Sequence, residues 1–99
     1  MIEYRSDERL DYSSGTYIFE FYARWCGTCR QVTKSFVALE DKIDAVFVRI
    51  DVEIEKDFTK SFHVKGIPYI IILRDGKELA RQGGSFTVKE FEQFLFSVL

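Results

Sequence analysis

The sequence is sparing with the residues that ligate metals, interrupt elements or carry excess charge. It holds one histidine, one proline and two cysteines. Tetrahedral zinc as a rule takes four Cys or His ligands, so Cys26, Cys29 and His63 fall short of a site within one chain. A metal or cluster shared between two chains through the cysteines stays open as a minor alternative; otherwise His63 reads as an ordinary surface or half-buried residue. The formal net charge is −2, which leaves no basic stripe for nucleic acid. No apolar run is long enough to span a bilayer as a helix. The opening residues, Met1 to Glu8, lack the apolar stretch of a secretory signal, which argues against one. Both cysteines fall in one short motif, which suits a reducing compartment where a structural disulfide is unusual, so the cytosol is the expected location. There is no repeat, low-complexity tract or linker, and residues 1–99 read as one domain.

What is present is a core. Apolar residues make up 46% and charged residues 30% of the chain, a balance typical of a globular protein. Ten Phe and five Tyr make that core aromatic. A chain of this size buries roughly 60–70% of its unfolded surface, enough for one core without staples.

The pattern along the chain alternates strand and helix. Thr16 to Tyr22 is β-branched and aromatic nearly throughout, as a strand buried on both faces is. Ala45 to Asp51 reads alike. Between them Cys29, Val32, Phe36, Leu39 and Ile43 recur at helical spacing. This is a βαβ unit, which predicts parallel strands joined by a right-handed crossover. Ile54, Phe58 and Phe62 then predict a short helix with one apolar stripe. Pro68 to Leu73 is another buried strand. Asp75-Gly76 within Arg74–Lys77 suits a type I′ hairpin turn, followed by a more polar edge strand over Lys77–Gln82. Gly83-Gly84 breaks it. Thr87 and Glu90 form a capping box, flanked by Phe86 and Phe91 as a hydrophobic staple, and open a last helix buried along Phe91, Phe94, Leu95 and Val98. The core order is βαβαββα. Ser6 or Asp7 is expected to cap one helical turn, and Met1–Tyr4 to add an edge strand if they pair at all.

The chemistry concentrates in Trp25-Cys26-Gly27-Thr28-Cys29, at the first strand-to-helix junction. The first turn of a helix leaves N–H groups unpaired and carries partial positive charge. A thiolate there is stabilised and its pKa falls. Cys26 is expected at the cap with its sulfur exposed beside Trp25, and Cys29, one turn on, pointing inward. Cys26 attacks a substrate disulfide to form a mixed disulfide, and Cys29 resolves it intramolecularly. Glu20 lies mid-strand in a buried run, where a lone carboxylate is costly unless protonated or paired. An ion pair with Lys42 or Arg49 is its plain structural explanation.

The order of elements, the Trp25-Cys26-Gly27-x-Cys29 run and Gly66-Ile67-Pro68 before the third core strand together resemble the thioredoxin family, over roughly Thr16 to Leu99. The resemblance implies a thioredoxin fold of the α/β class: a central mixed sheet of four strands, or five with the N-terminal edge, flanked by helices. It implies Cys26 as nucleophile, Cys29 as resolving thiol and Glu20, in place of the family's buried Asp, as proton acceptor for Cys29. It implies a cis bond before Pro68, with Ile67 offering backbone groups to an extended substrate. Trp25, Gly27, Thr28, Gly83 and Gly84 are the expected rim of the substrate site. The implied partners are disulfide-containing client proteins and a thioredoxin reductase as electron donor, with a monomer as default. No cofactor is implied beyond the Cys26–Cys29 redox disulfide.

Four departures from the family pattern matter. Thr28 replaces a Pro, and its hydroxyl can hydrogen-bond the nearby sulfur, which predicts a more oxidising disulfide. Lys34 replaces a kinking Pro in the helix. Tyr69 follows Pro68 where Thr is common. The N-terminal region is short. The leading reading is a thiol–disulfide oxidoreductase that reduces protein disulfides. The alternatives are a binding module that uses the groove without turnover, and a disulfide oxidant or isomerase, which Thr28 leaves open.

Overall fold

A computed structural model describes all residues, 1–99. Its elements follow the predicted order: β1 (Ile2–Glu3), β2 (Thr16–Tyr22), α1 (Gly27–Glu40), β3 (Val46–Asp51), α2 (Lys56–Ser61), β4 (Tyr69–Arg74), β5 (Lys77–Gly83) and α3 (Val88–Val98). The five strands form one mixed sheet in the order β1-β3-β2-β4-β5. β2 pairs parallel with β3 and antiparallel with β4, and β5 hangs on β4 as the predicted edge. The expected N-terminal edge strand exists in reduced form: β1 pairs parallel with β3 at Ile2↔Val48 and Glu3↔Arg49.

β2 is apolar on both sides because both faces of the sheet are covered. Side chains alternate along a strand, so Ile18, Glu20 and Tyr22 share one face and Tyr17, Phe19 and Phe21 the other. The first face packs against α1 and α3, with Ile18, Phe47, Ile70 and Ile72 meeting Val32, Phe36, Leu39, Phe91 and Leu95. On the second face Phe19, Phe21, Val48, Ile50, Ile71 and Leu73 form a separate cluster. Phe58 and Phe62 of the α2 region cover it together with Tyr4, Leu10 and Tyr12. Tyr4 stacks on Phe58 at 4.0 Å between ring centroids, and Tyr12 meets Phe19 edge-on at 5.5 Å. The N-terminal segment thus covers part of this face, with two aromatic rings and Leu10. The capped helical turn expected there is corrected to an isolated turn, closed by Glu8 N–H to Arg5 C=O at 3.0 Å, with Ser6 and Asp7 at its centre rather than at a cap.

One predicted stripe is corrected. Ile54 lies before α2 and is 64% exposed, so the stripe reduces to Phe58 and Phe62. Asp51 explains the displacement, since its carboxylate accepts the N–H groups of Glu53 and Ile54 and holds that segment as a turn. The local signals at the other end appear as read. Asp75 and Gly76 both have positive φ, 51° and 78°, as a type I′ turn requires. Thr87 and Glu90 make both hydrogen bonds of the capping box, and the Phe86 and Phe91 rings lie 5.6 Å apart. No helix is long and apolar enough to cross a membrane.

Candidate active site

β2 ends at Tyr22, and the chain turns through Ala23, Arg24 and Trp25 into α1. Cys26 is the N-cap of α1, with extended backbone (ψ 109°). Its sulfur accepts the Cys29 N–H at 3.2 Å, one of the donors that a helix start leaves unpaired. Cys26 and Cys29 are joined in a disulfide, their Cα atoms 5.2 Å apart. The exposure expected for the Cys26 sulfur is corrected: the residue is 6% exposed against 1% for Cys29. Tyr22 and Ala23 pack around the pair, with Val52 and Ile67 against them. Cys26 remains the more accessible of two shielded positions. Thr28 Oγ1 lies 3.4 Å from Cys26 Sγ, the contact its hydroxyl was expected to make. α1 runs without interruption through Lys34.

Trp25 is 66% exposed, and its indole N–H donates to Glu53 at 2.9 Å. This partner is invisible in the sequence, because Glu53 belongs to no periodic pattern and is positioned by the turn after β3. Trp25 and Ile67 line a shallow, mostly apolar depression of about 240 Å³ with Val52, Val64 and Gly66. The Ile67–Pro68 peptide is cis. The Pro68 carbonyl accepts the N–H of Gly84 at 3.0 Å, and Gly84 has a positive φ of 97°. Gly83 departs from its expected place as a break. It is the last residue of β5, opposite Tyr69, and a Cβ there would sit 2.9 Å from the Tyr69 ring. Its lack of a side chain makes room for Tyr69.

Glu20 is fully buried on the sheet face beneath α1. Thr33, one helical turn beyond Cys29, donates its hydroxyl to Glu20 Oε2 at 2.7 Å. Arg49, opposite Glu20 in the parallel register, donates from Nε to Oε1 at 3.3 Å. Of the two cations considered from sequence, Arg49 is therefore the partner. Burial pushes the Glu20 carboxyl above its usual range, and Thr33 and Arg49 offset this only in part. A paired carboxylate and a raised pKa thus coexist in one residue. A cavity of about 360 Å³ has Cys29, Thr33 and Arg49 on its wall. Thr33 was not singled out from sequence. Its signal was its spacing, four residues after Cys29 and therefore on the same side of the helix.

An α/β fold that holds two cysteines in a disulfide at a helix N-cap, with Ile67 of a cis Ile67–Pro68 peptide packed against the pair, defines a dithiol–disulfide oxidoreductase. Comparisons with known proteins agree. The family model described as Thioredoxin matches residues 3–97. A thioredoxin of Mycoplasmoides gallisepticum is 30% identical over 79 residues, covering 79% of this chain and 79% of that protein. A thioredoxin of Chlamydia muridarum is 33% identical over 73 residues, covering 73% and 72%. The X-ray structure of Fasciola hepatica thioredoxin superposes with a TM-score of 0.80 at 25% identity, covering 88% of this chain and 85% of that one. The chain belongs to the thioredoxin family.

Proposed function

We propose that the protein reduces disulfide bonds of client proteins in the cytosol and is itself re-reduced by a thioredoxin reductase. Cys26 is the attacking thiolate. Cys29 resolves the mixed disulfide, and Glu20 takes its proton. Trp25, Gly27, Thr28, Ile67, Pro68 and Gly84 form the surface on which an extended client segment lies, with Gly83 shaping it through Tyr69. The observation that carries this reading is the placement of Cys26: an N-cap sulfur that accepts the Cys29 N–H, flanked by an exposed Trp25. The same donors stabilise a thiolate when the disulfide opens.

A second reading, disulfide oxidant or isomerase, is favoured by the Thr28 hydroxyl at Cys26, since a stabilised thiolate raises the reduction potential. One experiment separates the two. The protein is equilibrated in graded thiol buffers and the Cys26–Cys29 equilibrium is read from Trp25 fluorescence. A reversible transition well below the cytosolic glutathione poise supports a reductase fed by a dedicated donor. A transition at or above that poise supports the oxidant reading. The absence of any reversible transition overturns both and leaves a binding module, which Cys26→Ser should then leave able to hold its partner.

A further inference from the structure

The ion pair of Glu20 is one part of a larger arrangement around Arg49. The Arg49 guanidinium divides its contacts among four groups. Nε reaches Glu20 at 3.3 Å, Nη2 donates to Thr33 Oγ1 at 3.3 Å, and Nη1 lies 3.6 Å from Glu3 Oε1. Its central carbon sits 3.8 Å over the centre of the Tyr22 ring. The Tyr22 hydroxyl in turn donates to Glu3 Oε2. Burial, and then the bond to Glu3, hold this phenol well above its usual range, so it stays a donor.

Two carboxylates therefore share one cation. Glu20 is sealed in the core, whereas Glu3 is 42% exposed and sits on β1, a strand of only two residues. The remaining surroundings of Glu20 add no second positive partner in contact. β4 presents Ile70 opposite it, and α1 presents Thr33. Arg24 and Arg30 stand on the wall of the same cavity as Cys29, and Arg24 pairs with Asp51.

We propose that Arg49 is a positioning residue for the resolving step, and that by sharing it with Glu20, Glu3 couples the seating of the N-terminal strand to proton transfer at Cys29. The proposal rests on the reading of Glu20 as proton acceptor. In that step the Cys29 thiol gives its proton to Glu20, and its sulfur attacks Cys26 Sγ in the mixed disulfide. The Cys26–Cys29 bond forms, the bond to the client sulfur breaks, and the client leaves as a thiolate with the electron pair. Electrons and protons balance without a further reactant. Arg49 holds Glu20 ionised and oriented. Glu3 acts against it twice, by drawing the guanidinium away and by its own negative charge, which raises the Glu20 pKa.

The test follows reduced protein mixed with excess Ellman's reagent across pH. The first released thionitrobenzoate reports attack by Cys26. The second, independent of reagent concentration, reports resolution by Cys29. Glu20→Gln should abolish the inflection in the second phase. Arg49→Gln should move it to higher pH by about one unit, the order of shift expected on losing an opposite charge at this range. Glu3→Gln should move it the other way, and that downward shift should shrink in the Arg49→Gln background. Arg49→Lys, which keeps the charge without the fork, should lie between. Glu3→Gln alters a partly exposed residue and keeps the question answerable if Arg49→Gln fails to fold. An inflection that Glu20→Gln removes but that neither Arg49→Gln nor Glu3→Gln moves would overturn the assignment of Arg49 alone. An inflection that survives Glu20→Gln would overturn the proton-acceptor reading and this proposal with it.

Discussion

The Thr28 hydroxyl gives the most direct quantitative test of the site. Its oxygen lies 3.4 Å from Cys26 Sγ, long for a hydroxyl donor but within reach of a sulfur acceptor. When the disulfide opens, the same hydroxyl can donate to the Cys26 thiolate. A hydrogen bond to a charged group is worth about 1.5–3 kcal/mol, and the exposure of Thr28 reduces this to about 1 kcal/mol. That energy stabilises only the reduced, ionised form. Its removal should raise the Cys26 pKa by about 0.7 units and lower the reduction potential by about 20 mV. The best perturbation is Thr28→Val, which deletes the hydroxyl at nearly constant shape. Thr28→Ser should behave as the parent protein. Thr28→Pro should lower the potential too. Position 28 lies in the first turn of α1, where a backbone N–H has no intrahelical partner to lose. The assay is the Trp25 fluorescence equilibrium in a dithiol buffer series, paired with the pH titration of thiolate ultraviolet absorbance. A potential for Thr28→Val equal to or above the parent's would refute the argument. So would a lowered potential with an unmoved Cys26 pKa, because the effect must act through the thiolate.

Glu20 is raised in the folded state, so the folded protein holds its proton more tightly than the unfolded chain; stability falls as pH rises from the ordinary carboxylate range through the raised value. Glu20→Gln should therefore be the more stable protein at neutral pH in urea unfolding, with the advantage fading in acid. Gly83→Ala places a Cβ against the Tyr69 ring and should cost about 1–3 kcal/mol, and the cost should largely vanish in a Tyr69→Ala background. Thr87→Ala removes the hydroxyl that caps the Glu90 N–H and should cost about 1 kcal/mol, read from the urea midpoint at unchanged slope.

Much of this molecule is written in local pattern. The aromatic, β-branched run of Thr16–Tyr22, the helical spacing from Cys29 to Leu39, the Asp75-Gly76 turn and the Thr87–Glu90 box each depend on residues within one or two turns of one another. Backbone geometry and side-chain periodicity suffice to place them, and with them the cysteine pair at a helix start. The physics of that site is local as well: Thr28 and Cys29 reach Cys26 because the helix begins there.

Contacts between segments distant in sequence had no such trace. Tyr4, Leu10 and Tyr12 lack a period, and only the folded sheet shows that they cover the face of Phe19 and Phe21. Ile54 looked like a core position until the Asp51 turn rotated it outward. Gly83 looked like a breaker, whereas its place is set by a ring on the neighbouring strand. Arg49 could be named from sequence as one of two candidate partners for Glu20, but the choice between them belonged to the β2–β3 register, which sets Arg49 opposite Glu20. The same register and the pairing of β1 bring Glu3 to that guanidinium from the far end of the chain. The sequence alone determined which residues carry the sulfur chemistry. The tertiary fold decided which charges surround the buried carboxylate, because electrostatic partners are selected by distance in space, and a sheet joins strands whose separation along the chain leaves no periodic mark.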